Sequence, residues 1–169
     1  LRIGVVGMSP GNAHPTSWSA IVNGVFDGDE ISKMGYPAVA DYLEANTPTL
    51  GLPGARVTYV WSQSREVSEM IATTAGIDHV ANDPSAMIAN VDAVLLIRDD
   101  SENHVAIAKP FIDADLPIFI DKPLCATKKE LDYFASETAK GKFIMSCSSL
   151  RYAGELMAVK SGVKALGEM

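Results

Sequence analysis

The seven residues Val91-Asp92-Ala93-Val94-Leu95-Leu96-Ile97 are apolar at every position but one. A strand with one face in water alternates apolar and polar side chains, so a run like this belongs to a strand buried on both faces. That burial needs helices above and below a parallel sheet. The rest of the chain supplies the pieces. Residues 2–6 (RIGVV), 55–61 (ARVTYVW), 117–121 (PIFID) and 142–147 (KFIMSC) read as further strands, and 77–80 (IDHV) as a weak one. Between them lie stretches of helical period. One covers 16–24 and ends at Gly24. A second starts at Arg65, stops at Gly76 and places Val67, Met70, Ile71 and Thr74 on one face. Asp83-Pro84 opens a short helix through Ile88. Residues 101–114 form a helix with Pro110 inside it. Thr127 and Glu130 make a capping box before a helix with Leu131, Phe134, Ala135 and Thr138 on one face, and a last helix runs from about Tyr152 to Ala165. Six strands alternating with helices predict an α/β fold: a doubly wound, Rossmann-like parallel sheet with right-handed crossovers and helices on both faces.

One connection is out of proportion. Roughly 30 residues, 25–55, separate the first helix from the second strand, where a few suffice. They hold the acidic turn FDGDE, a short helix PAVADYLEAN and the turn-rich TPTLGLPGA. The segment leaves from the C-terminus of the first helix, at the edge opposite the usual ligand crevice. It therefore reads as packing or a subunit contact in preference to a substrate lid, and FDGDE as a solvated turn without the ligand spacing of a calcium loop.

The formal net charge of −7 opposes nucleic-acid and anionic-membrane binding, which need a basic face. No apolar run is long enough to span a bilayer, and no signal peptide opens the chain. Cys125 and Cys147 make no disulfide framework and read as small buried residues of a cytoplasmic protein. No set of residues has metal-ligand spacing, and His14 reads as a loop residue.

The turn after the first strand, Gly7-Met8-Ser9-Pro10-Gly11, spells the G-x-S-x-G of a hydrolase nucleophile elbow. The residue after that serine must donate a backbone N–H to the oxyanion, and Pro10 has none. A dinucleotide turn, G-x-G-x-x-G, fits the position better. Gly7 stands at the strand end. Ser9 and Asn12 occupy the places of the second and third glycines, and Gly11 lies one place off. Ser9 adds a hydroxyl donor, and Thr16, Ser17 and the helix N–H groups suit a phosphate. A plain polar loop is the alternative.

Ligands of such sheets bind beyond the carboxyl ends of the strands. Those ends carry SQSR (62–65), RDDSENH (98–104), DKP (121–123) and SSLRY (148–152). Arg98, Lys122 and Arg151 on one edge of an acidic protein point to an anion site. An NAD-preferring turn ends its second strand with a carboxylate for the ribose 2′-OH. Here Ser62, Gln63, Ser64 and Arg65 precede the first acid, Glu66. Ser64 and Arg65 suit a 2′-phosphate, or else serve as N-cap and first turn of the next helix, so NADP fits at least as well as NAD.

The stretch FIDKPLCATKKEL, with VDAVLLIRDDSENHVAIAKPFIDADLPIFIDKP before it, resembles the N-terminal domain of the Gfo/Idh/MocA oxidoreductases, whose pattern here is a strand, Glu-Lys-Pro and a helix. Asp121 stands for the Glu. The likeness covers nearly the whole chain except the insertion, and HPTSWSAIVNG and PGARVTYVW look like a branch that shares it. The resemblance implies hydride transfer between a nicotinamide cofactor, NAD or NADP, and a carbinol carbon of a sugar- or cyclitol-like small molecule. It implies Lys122 as proton donor or acceptor beside the nicotinamide, with a cis bond to Pro123. It places His104 near the cofactor ribose, or else packed on its helix, Arg151 toward the nicotinamide or substrate, and Asp99 and Asp121 in the cofactor site. It further implies a cofactor domain over 1–150 and a linker helix over 151–169 toward a second domain that completes the pocket, with a homo-oligomer open for the whole protein. The rival is a non-catalytic nucleotide-binding or assembly module of the same fold.

Overall fold

The computed structural model describes residues 1–163. Six parallel strands form one sheet in the order β3-β2-β1-β4-β5-β6. They are β1 (Arg2–Val6), β2 (Arg56–Trp61), β3 (His79–Val80), β4 (Ala93–Leu96), β5 (Ile118–Ile120) and β6 (Ile144–Met145). β1 and β4 lie side by side at the centre, where the winding reverses and a crevice opens beyond the strand ends. The apolar run 91–97 supplies β4, and its Val91, Val94, Leu96 and Ile97 are buried.

Alternation along β1 divides the core in two. Ile3 and Val5 face a layer built by α1 (His14–Asn23), α2 (Gly28–Lys33), α3 (Pro37–Asn46) and α4 (Arg65–Thr74). Val6 faces the layer of α5 (His104–Asp113) and α6 (Lys128–Ala139). The doubly wound prediction is thus met on both faces. The capping box forms as read: Thr127 accepts from Glu130 N–H, and the Glu130 carboxylate accepts from Thr127 N–H at 2.8 Å.

The insertion is packing. Ile31 of α2 and Leu43 of α3 are fully buried in the first core layer. Gly51 and Leu52 N–H donate to the carbonyls of Ile21 and Val22 at the end of α1, each at 2.8 Å. FDGDE is solvated, with Asp27 and Asp29 exposed, but it opens a helix rather than a plain turn: Asp27 caps α2 by accepting from Glu30 N–H at 3.0 Å, and Asp29 and Glu30 complement the helix dipole in its first turn.

Other corrections are local. α1 starts at His14, two residues earlier than read, because Pro15 suits a first turn. Residues 84–87 and 101–103 are 3-10 turns. β6 keeps only two residues of the run 142–147. Met70 is exposed while Ser68 and Ala72 are buried, so the inner face of α4 is rotated from the apolar reading. Cys125 and Cys147 are half-buried rather than buried. The last helix, α7, covers Gly154–Val163; the end foreseen at Ala165 lies outside the described residues. No helix among the described residues is long and apolar enough to cross a membrane, and none of them cluster as metal ligands.

Candidate active site

The turn beyond β1 lies between the ends of β2 and β4. Gly7 N–H donates to Trp61 O at 2.9 Å, and a Cβ on Gly7 would stand 2.6 Å from Pro15 Cγ. Gly7 therefore does what a first dinucleotide-turn glycine does, letting strand and helix meet closely. Gly11 takes a positive φ of 82°, with open space where its Cβ would be. Ser9 is buried; its Oγ donates to the Asp99 carboxylate and accepts from Asp99 N–H at 3.1 Å. Ser9 thus ties the β1 turn to the β4 loop. Asn12 Oδ1 accepts His14 N–H at 2.9 Å, opening α1.

Two buried polar atoms at this helix start have no partner among the described residues: Asn12 Nδ2 and Thr16 Oγ1. A donor amide and a hydroxyl left unpaired beside a ten-residue helix N-terminus and an open Gly11 fit an anionic phosphate. The residues present therefore suit the pyrophosphate of a dinucleotide.

Across this turn lies a side chain that the sequence did not single out. Gln63 Oε1 accepts from Met8 N–H at 3.3 Å and from Arg98 Nη1 at 2.7 Å, while its Nε2 donates to Met8 O. Arg98 also donates through Nε to Asp100 at 2.7 Å. This guanidinium is buried, and its hydrogen bonds hold the Asp100 carboxyl below the usual carboxylate range. Arg98 is a committed brace between the ends of β2 and β4, not the open anion ligand expected.

Beyond β5, Asp121 is 1% exposed and its two oxygens divide their work. Oδ1 accepts Lys122 N–H at 2.8 Å, and Oδ2 meets His14 Nδ1 at 2.6 Å. Burial pushes this carboxyl up; the His14 and Lys122 hydrogen bonds outweigh it and leave it below the usual range. Lys122 is exposed, its side chain makes no hydrogen bond or ion pair among the described residues, and the Lys122–Pro123 bond is cis as the resemblance implied.

The outer residues are mostly structural. Ser62 is buried and bonds Ser64 O at 2.7 Å and Ser68 Oγ at 2.8 Å. Ser64 caps α4 by accepting Val67 N–H at 3.3 Å. Arg65 donates to Glu69 and to Asn82 Oδ1, each at 2.6 Å, in a hollow with Trp61, Ser62, Gln63 and Ala81. His104 is fully buried rather than at the rim: Nε2 lies 2.9 Å from Arg98 O and Nδ1 3.0 Å from Leu124 O. It joins the β4 and β5 loops, the packing alternative of its two readings. Arg151 is exposed on a 3-10 turn, Ser149–Tyr152, past the edge strand β6. The fold thus gathers Gly7, Ser9, Gly11, Asn12, Asp99, Asp121 and Lys122 at the crevice and leaves Ser64, Arg65 and Arg151 on its flanks.

Known proteins resemble this chain in sequence and fold. The family model of the Gfo/Idh/MocA oxidoreductases, an oxidoreductase family with an NAD-binding Rossmann fold, matches residues 1–147. Inositol 2-dehydrogenase 1 of Saccharopolyspora erythraea is 35% identical over 116 residues, which are 66% of this chain and 34% of that protein. A putative UDP-kanosamine synthase oxidoreductase subunit of Amycolatopsis mediterranei is 25% identical over 85 residues, 50% of this chain and 24% of its own length. The chain thus spans about a third or less of these curated relatives. The solved myo-inositol dehydrogenase of Lactobacillus casei, in complex with NAD(H) and myo-inositol, shares the fold with a TM-score of 0.69 at 19% identity, over 98% of this chain and 41% of that one. A turn whose residues suit a dinucleotide phosphate, a lysine just past β5 and a family model covering residues 1–147 agree: the chain belongs to the Gfo/Idh/MocA oxidoreductases through an NAD-binding Rossmann domain.

Proposed function

We propose that residues 1–150 are the cofactor domain of an enzyme acting on a cyclitol- or sugar-like substrate. The nicotinamide cofactor, when bound, exchanges a hydride with the carbinol carbon of that substrate. Lys122 Nζ exchanges the proton of the carbinol oxygen, taking it on oxidation and returning it on reduction. Residues from 151 onward lead toward a second domain that completes the pocket. The observation that carries this reading is the end of β5. Asp121 pins the Lys122 amide from inside and meets His14 at the start of α1, and the lysine side chain stays exposed. The relatives named for inositol dehydrogenation support the substrate class.

Both NADH and NADPH fit this reading. No carboxylate precedes Glu66 at the end of β2, and Glu66 lines a hollow with Glu30 and Met34, apart from the one that holds Arg65. The rival, a nucleotide module without catalysis, draws on one observation: Gln63 lies across the turn, tied to Met8 and Arg98. Titration of the chain with NADH and NADPH, together with Lys122→Ala in the full-length protein, separates the two. The enzyme reading expects cofactor binding and a kcat lowered by about 100-fold or more in the variant, with cofactor affinity kept. An unchanged kcat removes Lys122 from the chemistry.

A further inference from the structure

His14 has two ring nitrogens, and the structure commits one. Nδ1 lies 2.6 Å from Asp121 Oδ2, on a carboxylate that is 1% exposed. The ring stacks on Trp18 with centroids 4.8 Å apart and 19° between planes, and Trp18 meets Phe119 of β5 edge-on at 5.6 Å. Stacking fixes the plane of the ring, and the carboxylate fixes its rotation in that plane. The His14 side chain still keeps 35% of its surface, and Nε2 has no protein partner among the described residues.

A buried carboxylate on Nδ1 places a proton there and, in the neutral ring, leaves the lone pair on Nε2. That lone pair accepts from an O–H or N–H group. Its setting in the chain is specific. Asn12 of the phosphate turn holds the His14 amide, and Asp121 holds both the ring and the Lys122 amide. His14 therefore bridges the cofactor turn and the lysine.

We propose that Asp121 and His14 form a carboxylate–imidazole dyad whose Nε2 accepts a hydrogen bond from a ligand hydroxyl. Two sources carry that chemistry, a ribose hydroxyl of the dinucleotide and a hydroxyl of the polyol substrate. The inference rests on the functional reading above and deepens it. His14 is then a binding residue, and Asp121 positions it.

Asparagine and glutamine separate this role from mere support of Asp121. In His14→Asn the amide nitrogen stands near Nδ1 and keeps the bond to Asp121, with nothing at Nε2. In His14→Gln the amide reaches the Nε2 position. The full-length protein, as wild type and as both variants, is titrated calorimetrically with NADH, and with myo-inositol in the presence of NADH. His14→Asn is expected to keep its melting temperature and bind roughly five- to tenfold more weakly, with His14→Gln recovering most of the loss. Weakening in the NADH arm assigns the ribose hydroxyl; weakening only in the myo-inositol arm assigns the substrate hydroxyl. If His14→Asn binds both ligands as wild type does, the dyad is overturned while the cofactor reading stands. If the wild type binds neither, both fall. Should His14→Asn fail to fold, Asp121→Asn carries the test: it keeps the shape and frees the tautomer, and unchanged affinity in it overturns the proposal.

Discussion

Replacing Gly7 by alanine tests whether the β1 turn is built for close approach. The added Cβ would stand 2.6 Å from Pro15 Cγ, 2.9 Å from Pro15 Cβ and 3.6 Å from Ile97 O. Carbon atoms rest about 3.5–4.0 Å apart, so the overlap with Pro15 approaches about 1 Å. Neither side can yield cheaply. Pro15 is a closed ring in the first turn of α1, is buried, and has its carbonyl bonded by Ser19 Oγ at 2.6 Å. β1 is held by the Gly7 amide on Trp61 O. Gly4 offers an internal comparison. Its Cβ would meet Met87 Sδ at 2.8 Å, within an unbranched, adaptable though buried side chain, and Val91 Cγ1 at 3.3 Å. Overpacking costs about 1–3 kcal/mol, so Gly7→Ala belongs near the top of that range and Gly4→Ala near or below its foot. At about 2–4 °C per kcal/mol, the first lowers Tm by about 4–12 °C and the second by less than about 4 °C. Circular-dichroism melts of the two variants and wild type measure both. A Gly7→Ala melt within about 2 °C of wild type, or a larger drop for Gly4→Ala, refutes the steric argument.

Two further outcomes follow from the charges at the strand ends. Asp121 sits below the usual carboxylate range in the fold. Its contribution to stability is therefore full above the ordinary value of about 4 and is lost as pH falls through the lowered one. Asp121→Asn should flatten the acid limb of Tm against pH, and parallel curves would sink the assignment. Arg65 is held by Glu69 and Asn82 in the hollow at the end of β2. If it reads a 2′-phosphate, Arg65→Ala weakens NADPH by about tenfold and spares NADH; equal losses for both would show that it only braces α4.

The fold was legible because its signals are local. The run 91–97 needed no partner to announce a strand buried on both faces, and Thr127 with Glu130 fixed the start of α6 within four residues. Errors fell where local signals compete. FDGDE is acidic, but the same Asp27 that suits a solvated turn also caps a helix whose Ile31 must be buried. Met70 is apolar, yet it lies outside while Ser68 turns inward to bond the Ser62 amide at 2.8 Å. A polar residue with a buried partner outranks an apolar one that the core has no room for.

The site was harder to read because its logic is pairwise over long separations. His14 and Asp121 are 107 residues apart, and Gln63 and Arg98 are 35 apart. Counting cations at the sheet edge gave Arg98, Lys122 and Arg151 equal weight; pairing does not. Arg98 is paired with Asp100 and Arg65 with Glu69, while Lys122 and Arg151 have no ion pair among the described residues. Of the three, the guanidinium of Arg98 is spent on a brace, whereas Lys122 stays exposed past the end of β5. The shorter acid supports that division. Where the family pattern has Glu, Asp121 stays inside on His14 and on the Lys122 amide, and it holds the backbone of Lys122 without capturing its side chain.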